Sequence, residues 1–457
     1  MTDMFRPPAP EPAATQPGFW ERVRLARSNA LRMWSAKAYE EEIAVVPMLG
    51  RAMILLNRPD DIRHVLVEHP ERYRRSAASV RILRPITGQG LLLSEGDRWR
   101  LQRRTVAPAL APRSLPLLLR HVVTATEDTI RGLGGAVNML AEMQNLALEI
   151  AGRSMFSLET KQFGGEMRAH LAQYAENLAR PHMLDLLLPP GVPAPRDIPR
   201  YFFQRRWMRF IDGIIAARLG TSEAEAPRDL FDLLRAARDP ETGRGFTREE
   251  LRDQVATLIL AGHETTAVAL FWSCFLLAHV PEAQARVAAE AAGLDISAEN
   301  ATAALEHLPY TRAVLNEALR LYPPAFTLVR QARVADRIGD LDVAAGSVVM
   351  IAPWVLHRHR TLWKDPDLFD PSRFLPGAPE FPRFAYLPFG AGPRICVGMQ
   401  FALAEATLVL AKIIGAYQVA LEPGETVMPV AVITTQPDHP AMFRLTPRTA
   451  PVLARAA

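Results

Sequence analysis

Cys396 stands alone in a glycine-rich run, Phe389-Gly390-Ala391-Gly392-Pro393-Arg394-Ile395-Cys396-Val397-Gly398, directly ahead of an apolar segment that reads as a helix. A thiolate there is a metal ligand, and the free amides and positive dipole end of a helix lower a thiol's pKa. Gly390, Gly392 and Gly398 let the backbone lie close to a flat cofactor, and Pro393 stiffens the loop. Arg394 adds a fixed cation suited to a carboxylate, while Phe389 is placed to pack against a ring or the sulfur. The competing reading of these residues is a buried, inert cysteine in a glycine turn.

A second cluster lies inside the longest apolar stretch, where Ala261-Gly262-His263-Glu264-Thr265-Thr266 interrupts Val255 to Val280. Thr247-Arg248-Glu249-Glu250 has the capping-box pattern and Pro281 marks a stop, so one helix of about 30 residues and roughly 45 Å is expected. Glycine and an ionisable group in its middle call for a local reason. Either a carboxylate and a hydroxyl move protons there, or the polar groups bond back to the preceding turn. Glu317 and Arg320 share a helix face at i, i+3 spacing, and Trp99 and Arg103 share one at i, i+4.

The cysteine run resembles the haem-binding signature of the cytochrome P-450 family, F-G-x-G-x-R-x-C-x-G, and matches at every defined position. Four further patterns are similar to the family's. They are Trp99…Arg103 (W-x-x-x-R), Ala261 to Thr266 (A/G-G-x-D/E-T-T/S), Glu317…Arg320 (E-x-x-R) and Pro371-Ser372-Arg373-Phe374 (P-x-R-F). The resemblance implies haem b, iron protoporphyrin IX, with Cys396 as the metal's axial thiolate. It makes Arg103, Arg330 and Arg394 propionate clamps, joined by Trp99 and, by position, His357. Phe389, Gly390 and Gly398 line the cofactor on the cysteine side, Ala261 and Gly262 on the other. Glu264 and Thr265 become the catalytic proton relay, and His263, in the variable position, a structural or exposed residue rather than an iron ligand. Glu317, Arg320 and Arg373 form a buried network.

The function so implied is a monooxygenase that inserts one atom of O2 into a lipophilic small molecule by hydroxylation or epoxidation. The chain ends about 60 residues after Cys396, which leaves no space for a reductase module. NAD(P)H electrons are therefore expected through a ferredoxin or flavodoxin with a separate reductase, docked on cations such as Arg100, Arg104 and Lys412. Pocket positions by family resemblance are 80–83, 183–188, 260–261, 325–328 and 433–435, mostly apolar. The alternatives are a haem-thiolate isomerase, dehydratase or peroxygenase, and a non-catalytic haem-thiolate sensor.

The elements that must position these residues are mainly α-helical, with a small β-rich lobe in a single large domain spanning 19–457. Short strands are read at Ile43 to Met48, Ala52 to Leu56, Leu328 to Val334, Val348 to Ile351, Tyr417 to Leu421 and Met442 to Leu445. Residues 1–18, rich in proline and alanine, read as a disordered tail, and the proline-dense Leu186 to Arg200 as a loop. A charge of +4, from 53 basic and 49 acidic residues without a basic block, gives no support to nucleic-acid binding, and no nucleic-acid partner is expected. Lysine is confined to Lys37, Lys161, Lys364 and Lys412, the usage of a GC-rich bacterial genome. Two cysteines and no signal-like N-terminus point to the cytoplasm. The polar interruption at Glu264 argues for a buried helix rather than a membrane anchor, and a monomer is expected.

Overall fold

The long apolar segment is one 32-residue helix, Arg248–His279, in this computed structural model, which describes residues 5–48, 51–157, 163–188, 192–220 and 226–448. Its start is the reciprocal cap read from the sequence. The Thr247 hydroxyl accepts from the Glu250 amide at 3.2 Å, and the Glu250 carboxylate accepts from the Thr247 amide at 3.0 Å. Pro281 opens the next helix, Pro281–Ala291, because it cannot continue the ladder of the first.

Two apolar cores divide along this helix. The first gathers its C-terminal half, from Ala267 to Leu277, with Leu115–Gly132, Met139–Phe156, Pro309–Leu321 and Met399–Ala416. The second gathers its N-terminal half, up to Ile259, with Ile82 and Ile86 of helix Ala77–Thr87 and Phe203, Trp207 and Ile211 of helix Asp197–Leu219. The polar cluster around Glu264 falls in the gap between them. Neither core closes over it, and Ala261 and Gly262 keep exposed surface although they sit midway along the fold's central helix.

The β lobe is a five-stranded sheet in the order Ile43–Met48, Arg51–Leu56, Val348–Ile351, Leu328–Ala332, Tyr73–Arg74. Arg51–Leu56 and Val348–Ile351 pair parallel, and the other neighbours pair antiparallel. A three-stranded sheet sets Met442–Pro447 between Gly135–Asn138 and Tyr417–Leu421. A short hairpin pairs Pro429–Ala431 with Thr435–Pro437. The mainly α fold with a small β lobe is as the sequence implies.

Two expectations fail. The segment read as a disordered tail through residue 18 is docked from Phe5 onward. Phe5 stacks on His279 at 4.6 Å, its carbonyl accepts from the Phe369 amide at 3.0 Å, and the Pro8 carbonyl accepts from the Tyr322 hydroxyl at 2.9 Å. Its prolines lose little entropy on ordering, so a few such contacts suffice. The proline-dense stretch is also shorter than read: Met183–Leu187 is helical, and a second helix starts at Asp197 with Pro199 in its first turn, where a missing N–H costs nothing. Residues 189–191 of that stretch lie outside the described residues.

Among the described residues two helices, Arg248–His279 and Met399–Ala416, are long and apolar enough to cross a membrane, with mean hydropathy 1.3 and 1.5. Both form the core just described.

Candidate active site

The cysteine loop is shaped by its backbone. The Cys396 amide donates to the Phe389 carbonyl at 2.9 Å, closing the loop around a tight turn at Gly392–Arg394. Gly390 and Gly392 both take φ of 71°, a left-handed conformation that favours glycine. Gly392 has a second constraint, since a Cβ there would sit 1.9 Å from the Leu66 carbonyl oxygen. Its role is thus to let the loop pack on the His64–Glu68 turn, which differs from the contact with a flat cofactor read from the sequence. Gly398, whose Cβ position faces open space, remains suited to that contact. Phe389 packs against the first apolar core.

The Cys396 thiol is exposed, whereas Cys274 is buried. Desolvation nonetheless pushes the Cys396 pKa up, against the Gly398 amide and the Arg103 guanidinium, which pull it down. Exposed surface together with desolvation describes a group facing an enclosed cleft. The expected lowering by the helix start is outweighed because the helix begins only at Met399, so the Gly398 amide alone reaches the sulfur. A bound metal cation would supply the missing counter-charge.

Arg394 lies over the Trp99 ring at 4.5 Å and donates to the Glu95 carboxylate at 2.6 Å and the Ser94 carbonyl at 3.0 Å. Around it gather Arg330 and Arg75, the latter unnoticed in the sequence. Burial lowers Arg75 to about 9 and Arg330 to about 10, and in each case neighbouring guanidinium charge adds to the shift. Glu95 is the one carboxylate that opposes all three shifts. Arg75 Nε and Arg394 Nη1 are buried without a partner. Three guanidiniums against one carboxylate leave a surplus of two positive charges, and haem b carries two propionates, so these residues fit the group. Arg103 stands apart from this cluster, donating to the Ile395 carbonyl at 2.7 Å beside the thiol. Arg75→Leu should weaken haem retention about tenfold to a hundredfold, since a hydrogen bond to a charged group is worth ~1.5–3 kcal/mol. Haem transfer to an apo-globin acceptor measures this, and an unchanged transfer rate would remove Arg75 from the site.

On the central helix, nothing lies within 4 Å of the Cβ position of Gly262, so this face is open. The Thr265 hydroxyl bonds back to the Ala261 carbonyl at 2.5 Å. Glu264 does not touch Thr265; its Oε1 accepts from the Thr434 hydroxyl at 2.7 Å and from the Gln436 amide. Burial raises its pKa, with those two bonds opposing the rise. His263 is buried, held neutral with its pKa lowered to about 4, and bonded to backbone at Gln144, which makes it structural rather than exposed.

The Glu-Arg-Arg network is present: Glu317 and Arg320 pair through two contacts of 2.7 Å, both fully buried, and Arg373 Nε stands 3.5 Å from Glu317. His357 belongs to this network rather than to a propionate. It is buried, accepts from the Leu387 amide at 2.8 Å, and is held neutral with its pKa lowered to about 3. Two of the suggested docking cations are also committed elsewhere. Arg104 pairs with the buried Asp239 at 2.7 Å, and Lys412 with Glu127 and the Ile296 carbonyl, each at 2.8 Å. Arg100 remains on the surface, paired with Asp97.

With this geometry in view, the chain matches the cytochrome P450 family over residues 10–441. Cyclooctatin synthase of Streptomyces melanosporofaciens is 31% identical over 443 residues, 89% of this chain and 95% of that one. Cyclooctat-9-en-7-ol 5-monooxygenase of the same organism is 31% identical over 418 residues, 83% and 89% of the two chains. The solved cytochrome P450DA heme domain superposes with a TM-score of 0.81 at 24% identity, covering 97% of this chain and 99% of that one. This chain therefore belongs to the cytochrome P450 family and is a P450 monooxygenase.

Proposed function

We propose that the enzyme inserts one oxygen atom from O2 into a lipophilic small molecule, with electrons delivered from NAD(P)H by a ferredoxin or flavodoxin and its separate reductase. When bound, haem would supply oxygen activation, and a thiolate ligand would add electron density for O–O cleavage. Cys396 would provide that thiolate, and Arg75, Arg330 and Arg394 would hold the two carboxylates of the group. Ala261 and Gly262 leave room on the helix face opposite. Thr265 and Glu264 hold and move protons there, while Leu258, Leu260 and Ile433, which pack at the edge of the second core, exclude water. The observation that carries this reading is the arginine cluster with its two surplus charges, one member of which, Arg394, belongs to the same loop as the desolvated thiol.

Apolar walls suit a hydrocarbon framework. One relative is named for position 5 of cyclooctat-9-en-7-ol, an unsaturated alcohol, and compounds of that class are the first to screen. Two free cysteines are in keeping with work in the cytoplasm. The test screens lipophilic compounds for a shift of the haem spectrum, then supplies ferredoxin, reductase and NADPH under isotopically heavy dioxygen. Product carrying one heavy oxygen atom is expected. Rearranged product without label would favour an isomerase, and spectral binding without any product a sensor.

A further inference from the structure

The two donors that reach Glu264 come from the short C-terminal hairpin, Gln436 from its strand Thr435–Pro437 and Thr434 from the bend just before it, and both converge on Oε1. Their shared contact shows that Thr434 and Gln436 both point toward the central helix, while Thr435 between them points away. Thr435 is fixed on that other side. Its hydroxyl donates to the Pro323 carbonyl at 2.7 Å, and its carbonyl accepts from the Trp272 indole at 2.7 Å. The partner strand is pinned as well, with the Ala431 amide donating to Asn29 Oδ1 at 3.1 Å and the Pro429 carbonyl accepting from Asn29 Nδ2 at 3.0 Å. The hairpin is thus a braced platform under the Glu264 carboxyl.

A carboxyl oxygen has two lone pairs, and here both Oε1 sites are taken by donors. In the neutral acid, keeping both donors makes Oε1 the carbonyl oxygen and puts the proton on Oε2, whereas a proton on Oε1 would force the Thr434 hydroxyl out of its donor role. Oε2 has no partner among the described residues, and Glu264 is only half-buried. Among the described residues no cation pairs with this carboxyl; its charge is felt by Tyr174, whose hydroxyl donates to the Ile82 carbonyl.

We infer that Thr434 and Gln436 are positioning residues that fix the Glu264 proton on Oε2, the oxygen open to the cleft, and so aim the relay. This rests on the relay role given to Glu264 above. Infrared spectra of the ferric holoenzyme test it without any substrate. In mildly acidic buffer, the difference between wild type and Glu264→Gln should contain one protonated-carboxyl stretch. In Thr434→Val/Gln436→Leu that stretch should move to higher wavenumber, because its C=O loses both donors. It should also persist to higher pH, because those donors favour the charged form. Gln436→Leu alone should give part of the shift, and Thr434→Ser none. An unmoved band in the double variant, or no carboxyl band lost in Glu264→Gln, would overturn the inference.

Turnover separates it from the relay itself. Dioxygen takes two electrons and two protons to leave as hydrogen peroxide, and four of each to become two waters. With NADPH, ferredoxin and reductase, the peroxide formed per dioxygen consumed should rise in both Glu264→Gln and the double variant, with a larger solvent isotope effect. A rise in Glu264→Gln alone would refute the positioning role and leave the relay standing; no rise in either would refute both.

Discussion

Cys396→Ala is expected to abolish the red-shifted absorbance band of the reduced carbon-monoxide complex and to take monooxygenase activity to background, while the protein still folds. The thiol is the one group at this site able to give the iron an anionic sulfur, and alanine gives it no ligand. Folding should survive because the side chain makes no hydrogen bond to a distant element. Its backbone amide, which closes the loop on Phe389, is unaffected by the substitution. Stability should change by about 1 kcal/mol or less, the range for a substitution outside the core. Cys274→Ala is the control. That thiol is fully buried in the first core with its pKa pushed up to about 12, so it is inert, and its removal should leave the spectrum intact. Retention of the red-shifted band in Cys396→Ala would refute the ligand assignment.

Glu317→Ala should have the largest effect on stability. Glu317 and Arg320 are fully buried, and removing the carboxylate strands a guanidinium whose other bonds go to the carbonyls of His357, Pro366 and Leu368. Breaking a buried pair in this way costs about 3–5 kcal/mol, a large part of the ~5–15 kcal/mol that keeps a protein folded. Glu317 also accepts from the Asp370 amide at 2.9 Å, so the loss reaches the segment that leads into the cysteine loop. Thermal melting and haem content report the outcome together. Arg373→Leu should cost less, because Arg373 stands farther from Glu317 and spends its other donors on the carbonyls of Lys364 and Asp365. Equal losses in the two variants would mean that the network acts through Arg373 rather than through the central pair.

The failed expectations share a cause. Arg104 and Lys412 are ordinary cations in the sequence, and only the approach of Asp239 and Glu127, more than a hundred residues away, makes them structural. His357 likewise sits where a propionate ligand would be counted, until the fold brings the Leu387 amide onto its ring. Docked residues 5–18 could not be read from composition, because the surface they cover does not exist until Tyr322, Phe369 and His279 come together.

Taken by itself, the sequence determined what local chemistry can determine: the 32-residue helix with its cap and stop, the glycine loop around Cys396, and the Glu317–Arg320 pair one helical turn apart. Each depends on residues close together along the chain, where backbone geometry fixes neighbours by spacing alone. The tertiary structure alone decided the electrostatics of the site. Arg75 is far from Arg330 and Arg394 along the chain, yet all three share one carboxylate. Glu264 takes its orientation from Thr434 and Gln436 instead of from the adjacent Thr265. Charge balance and proton position depend on distances through space, and those are set only when the cores on either side of the central helix close and leave the gap between them.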